Sequence, residues 1–217
     1  RNGVNVVYGF AGLKIHAKLC FVVRREKGKL ERYTHIGSGN YNAASAKIYT
    51  DLGLFTANKD INDDVQDLFN VMTGYGVVNH YRKLLVSPHT LRPGITKLIR
   101  REIEQHKKHG NGHIIIKCNQ LVDYEMVKVL YEASRAGVKI ECIVRGICSL
   151  RPGLPGVSDT ITVRSIVGRL LEHARIYYFH NNGDEEMYFG SADLMTRNLN
   201  GRIEVLTPLL QENLRNN

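Results

Sequence analysis

Two histidines in this chain are each followed, two residues later, by a basic residue, and each segment then leads to a Gly-Ser turn. The first set is His16, Lys18 and the turn GSGN at 37–40, and the second is His173, Arg175 and the turn GSAD at 190–193. Imidazoles, cations and glycine-rich turns are the groups needed to transfer a phosphoryl group through a phosphohistidine. Because the whole pattern occurs twice in the same order, we expect it to carry chemistry.

Each group has a role in such a transfer. A neutral imidazole at His16 attacks phosphorus, and His173 acts as the general acid for the leaving oxygen or as a ligand of the nucleotide. Cations neutralise the phosphate oxygens, and the turns supply neutral donors. The predicted phosphate-binding residues are Lys18, Asn40, Arg175, Ser38 and Ser191.

The elements that position these groups are predicted to be strands. Residues 15–23 alternate between apolar and polar side chains, which indicates a strand with one face in the core. His16 and Lys18 then share a face about 7 Å apart, close enough to reach one phosphoryl group. His173 and Arg175 are expected to share a face in the same way.

The duplication extends beyond the motifs. Residues 2–12 resemble residues 136–146, and YTDLGLFT at 49–56 matches NGRIEVLT at 200–207. Each half therefore runs strand, histidine strand, Gly-Ser turn, strand, and residues 4–8 are predicted to form the opening strand. Internal repeats of this kind fix an architecture.

The repeat predicts an α/β fold of two similar domains, residues 1–84 and 85–217, whose histidines meet at a shared cleft. In the second half, a helix at 123–135 precedes the strand that is equivalent to the opening strand of the first half, and the first half has no counterpart of that helix. We therefore expect the first domain to be truncated at its N-terminus and the chain to be a fragment. Helical spacing also predicts a helix at 60–72, and Ser87-Pro88 reads as the start of another.

Bulk composition favours an anionic partner. The 217 residues include 30 Lys and Arg against 21 Asp and Glu, a net charge of +9, which suits nucleic acid, nucleotide, polyphosphate or an anionic membrane. No apolar run approaches the roughly 18 residues of a transmembrane helix. The four cysteines lack Cys-x-x-Cys spacing, so we expect reduced, buried thiols in a cytosolic protein and no metal site.

Two further residues are considered for the site, and the sequence around them favours one more than the other. Arg145 stands at a predicted strand end beside Gly146, which favours a role in the site. Tyr49, taken alone, is more typical of a core tyrosine.

The motifs closely resemble those of the large bacterial polyphosphate kinases, in their C-terminal pair of phospholipase D-like domains. The matching segments are LKIHAKL (13–19), YTHIGSGNYN (33–42), IYTD (48–51), VRGICSL (144–150), LEHAR (171–175) and SADLMTRN (191–198). The resemblance implies two α/β domains with mixed sheets flanked by helices.

The resemblance also implies a function: reversible transfer of the terminal phosphate of ATP to inorganic polyphosphate. It places the phosphohistidine at His16 and nucleotide contacts at Tyr49, Arg145 and His173. ATP or ADP and polyphosphate would be the partners, with no nucleic acid, in a cytoplasmic homo-oligomer that associates peripherally with membranes. The magnesium ligands of the family lie upstream of this chain, so the fragment alone is expected to be inactive.

Two alternatives stay open from the residues. Phospholipase D-type phosphodiesterases and nucleases carry an Asp five residues after the motif Lys, where this chain has Val23 and His180. That departure disfavours a hydrolase. A noncatalytic polyanion-binding module would use the same positive charge, and its binding would be equally salt-sensitive.

Overall fold

The protein has a mixed α/β fold, described by a computed structural model for residues 3–9 and 12–215. Within those ranges it contains a seven-stranded sheet, a three-stranded sheet and two short parallel strand pairs. The strands are β1 (Lys14–Ile15), β2 (Lys18–Glu26), β3 (Lys29–Gly37), β4 (Tyr49–Thr50), β5 (Gly53–Thr56), β6 (Leu85–Val86), β7 (His113–Cys118), β8 (Lys139–Val144), β9 (Ile161–Arg164), β10 (Leu171–Glu172), β11 (Arg175–Phe179), β12 (Glu186–Gly190), β13 (Arg202–Ile203) and β14 (Val205–Pro208). The helices are α1 (Lys59–Met72), α2 (Leu91–His109), α3 (Tyr124–Arg135), α4 (Thr196–Gly201) and α5 (Glu212–Arg215). The predicted α/β class, with mixed sheets flanked by helices, is confirmed.

The larger sheet belongs mainly to the second half of the chain. Its order is β6-β14-β12-β11-β7-β8-β9; β7, β8 and β9 are parallel, and the other neighbours are antiparallel. One core holds buried residues of α2 and α3 together with Ile114 and Ile116 of β7. The α3 bounds agree with the predicted helix at 123–135 to within one residue.

The same sheet also packs against the first half. Phe189 and Val205 join a second core with Ile61 and Val65 of α1, whereas Leu206 lies in the core under α2 and α3. Successive strand residues point to opposite faces, so β14 contributes to both cores. The two halves are therefore joined by a shared apolar core.

The first half builds a three-stranded sheet of order β2-β3-β5, covered by α1. The β2–β3 hairpin turns at Lys27 and Gly28, both with positive φ. Helix α1 begins after Asn58, whose side chain accepts a hydrogen bond from the Ile61 amide at 3.1 Å. The prediction of a helix at 60–72 is confirmed to within one residue.

Each histidine segment is broken into two strands, whereas one continuous strand was predicted. His16 lies between β1 and β2, and His173 lies between β10 and β11. The break arises because β1 pairs in parallel with β13, and β10 with β4. Each short pair crosses from one half to the other, while the strand after the histidine joins its own sheet.

Three further expectations need correction. Helix α2 begins at Leu91 rather than at Ser87-Pro88, because Ser87 Oγ donates to the Arg202 carbonyl at 2.6 Å and accepts from the Glu204 amide at 2.9 Å. Residues 4–8 form no strand, since no described segment pairs with their main chain. Cys20 is exposed rather than buried.

None of the helices in the described ranges has the length and apolarity to cross a bilayer.

The glycine of the second Gly-Ser turn is required by close packing. A Cβ on Gly190 would lie 2.0 Å from the Val205 carbonyl oxygen, whereas a Cβ on Gly201 would meet nothing within 4 Å. We predict that Gly190→Ala lowers the free energy of unfolding by about 1–3 kcal/mol, as overpacking does. Gly201→Ala should leave it unchanged or raise it by up to about 1 kcal/mol. Urea unfolding of both variants tests this, and equal midpoints would contradict it.

Candidate active site

His16 is oriented by a carboxylate of the opposite half. The amides of His16 and Ala17 both donate to the Ile203 carbonyl, each at 3.0 Å, which fixes the link between β1 and β2. The next residue after Ile203 is Glu204, whose Oε2 lies 2.8 Å from His16 Nδ1. The Glu204 side chain is fully buried. The parallel pair β1–β13 therefore delivers the carboxylate to the imidazole.

His173 has the same arrangement with the halves exchanged. The amides of His173 and Ala174 donate to the Thr50 carbonyl at 3.2 and 3.1 Å. Asp51 follows Thr50, and its Oδ1 lies 2.7 Å from His173 Nδ1. Each half thus orients the histidine of the other half.

The register of the repeat differs from the predicted one. The sequence comparison paired 49–56 with 200–207, which sets Asp51 opposite Arg202. In the structure the counterpart of Asp51 is Glu204, because each is 13 residues beyond the serine that it contacts. Asp51 and Glu204 are the functional residues that the sequence reasoning missed, and the shared spacing from the Gly-Ser turns is the signal that could have found them.

Both turn serines hold these carboxylates. Ser38 Oγ donates to Asp51 Oδ1 at 2.7 Å and accepts from the Leu52 amide at 2.9 Å. Ser191 Oγ donates to Glu204 Oε2 at 2.5 Å and accepts from the Val205 amide at 3.2 Å. Each hydroxyl has one proton, and it is used within the protein. The predicted direct contact of either hydroxyl with phosphate is therefore replaced by a positioning role.

These contacts fix the tautomer of each imidazole. A carboxylate can only accept, so each Nδ1 carries a proton, and in the neutral ring each Nε2 carries the lone pair. Among the described residues, no group hydrogen-bonds to His16 Nε2. His173 Nε2 instead lies 3.1 Å from Arg175 Nη1. The His16 lone pair is therefore free for nucleophilic attack.

Asp51 stays ionised in this setting. Partial burial acts to raise the pKa of Asp51, but hydrogen bonds from His173 and Ser38 outweigh it and leave that pKa below its ordinary value. An ionised Asp51 keeps the proton on His173 Nδ1.

Lys18 is a buried cation at the first histidine. It is 5% exposed, and its Nζ donates to the His16 carbonyl. Burial lowers the pKa of Lys18 to about 8, with Arg175 adding to the effect and Glu204 and Asp51 opposing it. Asn40, which ends the same turn motif, is exposed, and its side chain makes no hydrogen bond within the described ranges. Lys18 therefore keeps N–H donors beyond its one bond to the His16 carbonyl, and Asn40 keeps its amide donors.

Arg175 does not present a free fork, in contrast to the prediction. Its Nε and Nη2 donate to the two carboxylate oxygens of Asp193 at 3.3 and 3.0 Å. Its Nη1 donates to the His173 carbonyl at 2.8 Å and to the Ser38 carbonyl at 3.3 Å. The guanidinium is buried and links the two halves, so the expected bidentate phosphate contact is occupied by Asp193.

Tyr49 and Arg145 both lie beside His173. The Tyr49 ring is centred 4.7 Å from the His173 ring, at an interplanar angle of 39°. Arg145 Nη1 donates to the carbonyl of Glu172, the residue before His173, at 3.1 Å. The structure therefore gathers these two predicted nucleotide contacts at the second histidine, at the carboxyl end of β8.

No group of three or more His, Cys, Asp or Glu side chains in the described ranges is placed to hold a metal ion. The carboxylates closest to the histidines, Asp51 and Glu204, are already engaged with imidazole and serine. The residues present therefore do not fit a magnesium site, and no step below involves the ion.

Comparison with known proteins matches both halves of the chain. The family model "Polyphosphate kinase C-terminal domain 1" covers residues 1–78, and "Polyphosphate kinase C-terminal domain 2" covers residues 84–217. The chain belongs to the polyphosphate kinase family. The polyphosphate kinase of Prosthecochloris aestuarii is 56% identical over 214 residues, with 99% of this chain and 30% of that protein covered. The Bacillus cereus polyphosphate kinase is 52% identical over 208 residues, with 96% and 30% covered.

The fold agrees with that of a solved polyphosphate kinase. The crystal structure of the Porphyromonas gingivalis enzyme superposes with a TM-score of 0.93 at 42% identity, covering 99% of this chain and 33% of that one. The chain thus spans about a third of the length of the polyphosphate kinases that it matches.

The buried lysine predicts a pH-dependent affinity for anions. Lys18 is charged below its pKa of about 8 and neutral above it, so binding of inorganic tripolyphosphate should weaken by up to about 10-fold between pH 7 and 9. Lys18→Met should bind weakly at both values. Calorimetric titration of both proteins at the two pH values measures this. An equal loss of affinity in Lys18→Met would contradict it, because the titrating group would then lie elsewhere.

Proposed function

We propose that this chain carries the site at which a polyphosphate kinase transfers the terminal phosphate of ATP to inorganic polyphosphate, reversibly and through a phosphohistidine at His16. The observation that carries the proposal is the imidazole of His16, which is held at Nδ1 by Glu204, has no hydrogen bond at Nε2 within the described residues, and belongs to a residue whose carbonyl accepts from the buried Lys18. Membership of the polyphosphate kinase family supports the choice of substrates.

The first step forms the phosphohistidine. The Nε2 lone pair of His16 attacks the terminal phosphorus of ATP, the N–P bond forms, and the bond from that phosphorus to the bridging oxygen breaks. ADP leaves with the electron pair. Nδ1 keeps its proton, which stays hydrogen-bonded to Glu204. The negative charge of Glu204 stabilises the cationic phosphoimidazole.

The second step returns the imidazole. A terminal oxygen of polyphosphate attacks the same phosphorus, the N–P bond breaks, and its electron pair returns to Nε2. The polyphosphate is then one phosphate longer. Each step is reversible with the same residues in the same roles, so the direction of the reaction follows the concentrations of ATP and polyphosphate.

Lys18 and Asn40 are the groups proposed to bind the phosphoryl oxygens. Lys18 is held against the main chain of His16 and keeps N–H donors for an anion. Its burial strengthens the interaction with a phosphate, because few waters screen the charge. Asn40 adds neutral donors at the exposed rim.

His173, Tyr49 and Arg145 are proposed as nucleotide contacts. Tyr49 offers a ring face beside His173, and Arg145 supplies a cation at the same edge. For His173 to act as a general acid, its Nε2 must gain a proton and the Arg175 Nη1 contact must open. The geometry favours His173 as a ligand over His173 as the acid.

The hydrolase alternative has less support. Val23 lies within β2 and His180 follows β11, and His180 contacts Tyr178 and Glu185 rather than either site histidine. Neither position supplies the acid that the phosphodiesterases carry.

Labelling from ATP tests the proposed function. We use a chimaera in which this chain replaces the corresponding region of the Prosthecochloris aestuarii polyphosphate kinase, and γ-labelled ATP as donor. We predict an acid-labile, base-stable label that is lost in His16→Ala and slower overall turnover in His173→Ala. His180→Ala is the control, because its side chain is 27% exposed against 22% for His16. Label that survives in His16→Ala, or its absence from the parent chimaera, would reject the proposal.

The hydrogen bond between His16 and Glu204 gives a second prediction, which the same chimaera tests. Glu204→Gln keeps the shape but removes the charge that holds His16, and we expect label on His16 to form roughly 10²- to 10⁴-fold more slowly, as when the Asp of a Ser-His-Asp triad is replaced by Asn. Asp51→Asn should leave label formation within a few-fold of the parent. Glu212→Gln, on an exposed side chain, controls for charge. Equal slowing by the Asp51 and Glu204 variants would contradict the assignment.

A further inference from the structure

The two imidazoles are closely matched in two respects. Each donates from Nδ1 to a carboxylate of the other half, at 2.8 Å for His16 and 2.7 Å for His173. Their side chains are 22% and 16% exposed. Neither the tautomer nor accessibility therefore explains why one histidine rather than the other would accept a phosphoryl group.

The two Nε2 atoms differ sharply. His173 Nε2 lies 3.1 Å from Arg175 Nη1, and a guanidinium can only donate, so the lone pair of His173 is engaged. His16 Nε2 has no such donor within the described residues. A nitrogen must present its lone pair to phosphorus to attack it, and only His16 does so.

The difference comes from the residue types at two equivalent positions. Lys18 has a single nitrogen, which donates to the His16 carbonyl. Arg175 makes the equivalent bond to the His173 carbonyl at 2.8 Å, and the same Nη1 also reaches the ring nitrogen. The other two nitrogens of the guanidinium, Nε and Nη2, are bonded to Asp193 and so hold Nη1 against the ring, whereas an ammonium group has no second nitrogen by which it could be held.

Asp193 keeps the fork in that position. It pairs with Nε and Nη2 of Arg175 while the two side chains are 4% and 9% exposed, and its Oδ1 also accepts from the Asn119 amide at 2.7 Å. The equivalent residue of the first turn is Asn40, which is exposed and neutral and holds no cation. The second half therefore carries a fixed ion pair, whereas Lys18 of the first half has no carboxylate partner among the described residues.

We propose that Arg175 and Asp193 are positioning residues that cover Nε2 of His173 and so restrict phosphorylation to His16. This inference deepens the proposed function and rests on its phosphohistidine chemistry.

Phosphoramidate tests the inference without ATP or a nucleotide site. The Nε2 lone pair forms the N–P bond, the P–N bond of phosphoramidate breaks, and its protonated nitrogen leaves as ammonia. The 217-residue chain is treated with phosphoramidate, and the phosphohistidines are located by mass spectrometry. We expect His16 to be labelled about 10- to 100-fold faster than His173, the factor that an ordinary charge-assisted hydrogen bond imposes on the lone pair.

Exchanging the residues between the halves should exchange the outcome. Asp193→Asn removes the carboxylate that holds the Arg175 guanidinium. The double variant Arg175→Lys with Asp193→Asn gives the second site the Lys and Asn of the first. In both variants, label on His173 should rise at least about 10-fold. The double variant guards against misfolding of the single one, because the first half already accommodates this pair. Lys18→Arg with Asn40→Asp should lower label on His16 by a similar factor. Asp159→Asn removes an exposed carboxylate elsewhere and should change neither rate.

Equal labelling of the two histidines in the parent chain would overturn the inference. So would a silent His173 in both second-site variants while the chain retains its native circular dichroism. These results are separable from a failure of the proposed function. A chimaera that takes no label from ATP rejects the kinase assignment even when phosphoramidate discriminates as expected, whereas equal phosphoramidate labelling beside normal ATP labelling rejects only the covering role.

Discussion

The hydrogen bond from each imidazole Nδ1 to a carboxylate of the opposite half is the contact on which the site depends. Glu204 holds His16, and Asp51 holds His173. Because both bonds run between the halves, neither half can orient its own histidine. The short parallel pairs β1–β13 and β10–β4 place the carboxylates, and the turn serines fix their rotamers. The two halves must therefore be packed together before either imidazole has a defined tautomer.

The duplicated frame supports unequal sites. Glu204 is fully buried, whereas the Asp51 side chain is 26% exposed, so the His16 pair lies in the lower dielectric and its interaction with developing charge is stronger. Lys18 is a single-nitrogen cation bonded to the His16 carbonyl, and Arg175 is a guanidinium paired with Asp193. In our proposal, one fold that is repeated with different residues at three paired positions separates a nucleophile from a nucleotide ligand.

Local patterns in the sequence predicted the local elements well. The helical spacing at 60–72 predicted the bounds of α1 to within one residue, because apolar periodicity follows directly from burial on one face. The helix predicted at 123–135 agrees with α3 equally well. Asp51 and Arg175 connect the first Gly-Ser turn to the second histidine motif, since Asp51 accepts from Ser38 and His173, and Arg175 donates to the Ser38 carbonyl. The start of α2 was wrong because the Ser87 hydroxyl bonds to Arg202 and Glu204, a long-range contact that no local pattern encodes.

The carboxylate partners could not be found from local pattern for the same reason. His16 and Glu204 are 188 residues apart, and His173 and Asp51 are 122 apart. Only the repeat relates them, and a register shifted by two residues hid the relation. The hydrogen bonds that occupy the Arg175 guanidinium and the Ser38 and Ser191 hydroxyls likewise come from residues that are distant in sequence. A local pattern therefore does not predict them.

The pairing of each histidine with a carboxylate of the opposite half is tested most directly by the tautomers of the two imidazole rings. Nitrogen-15 NMR of the histidine side chains in the 217-residue chain distinguishes protonated from unprotonated ring nitrogens. We predict that neutral His16 and His173 both carry the proton on Nδ1, and that Glu204→Gln alters the signals of His16 while leaving those of His173 in place. Protons on Nε2 in the parent chain, or a Glu204 variant that changes His173 instead, would contradict the account.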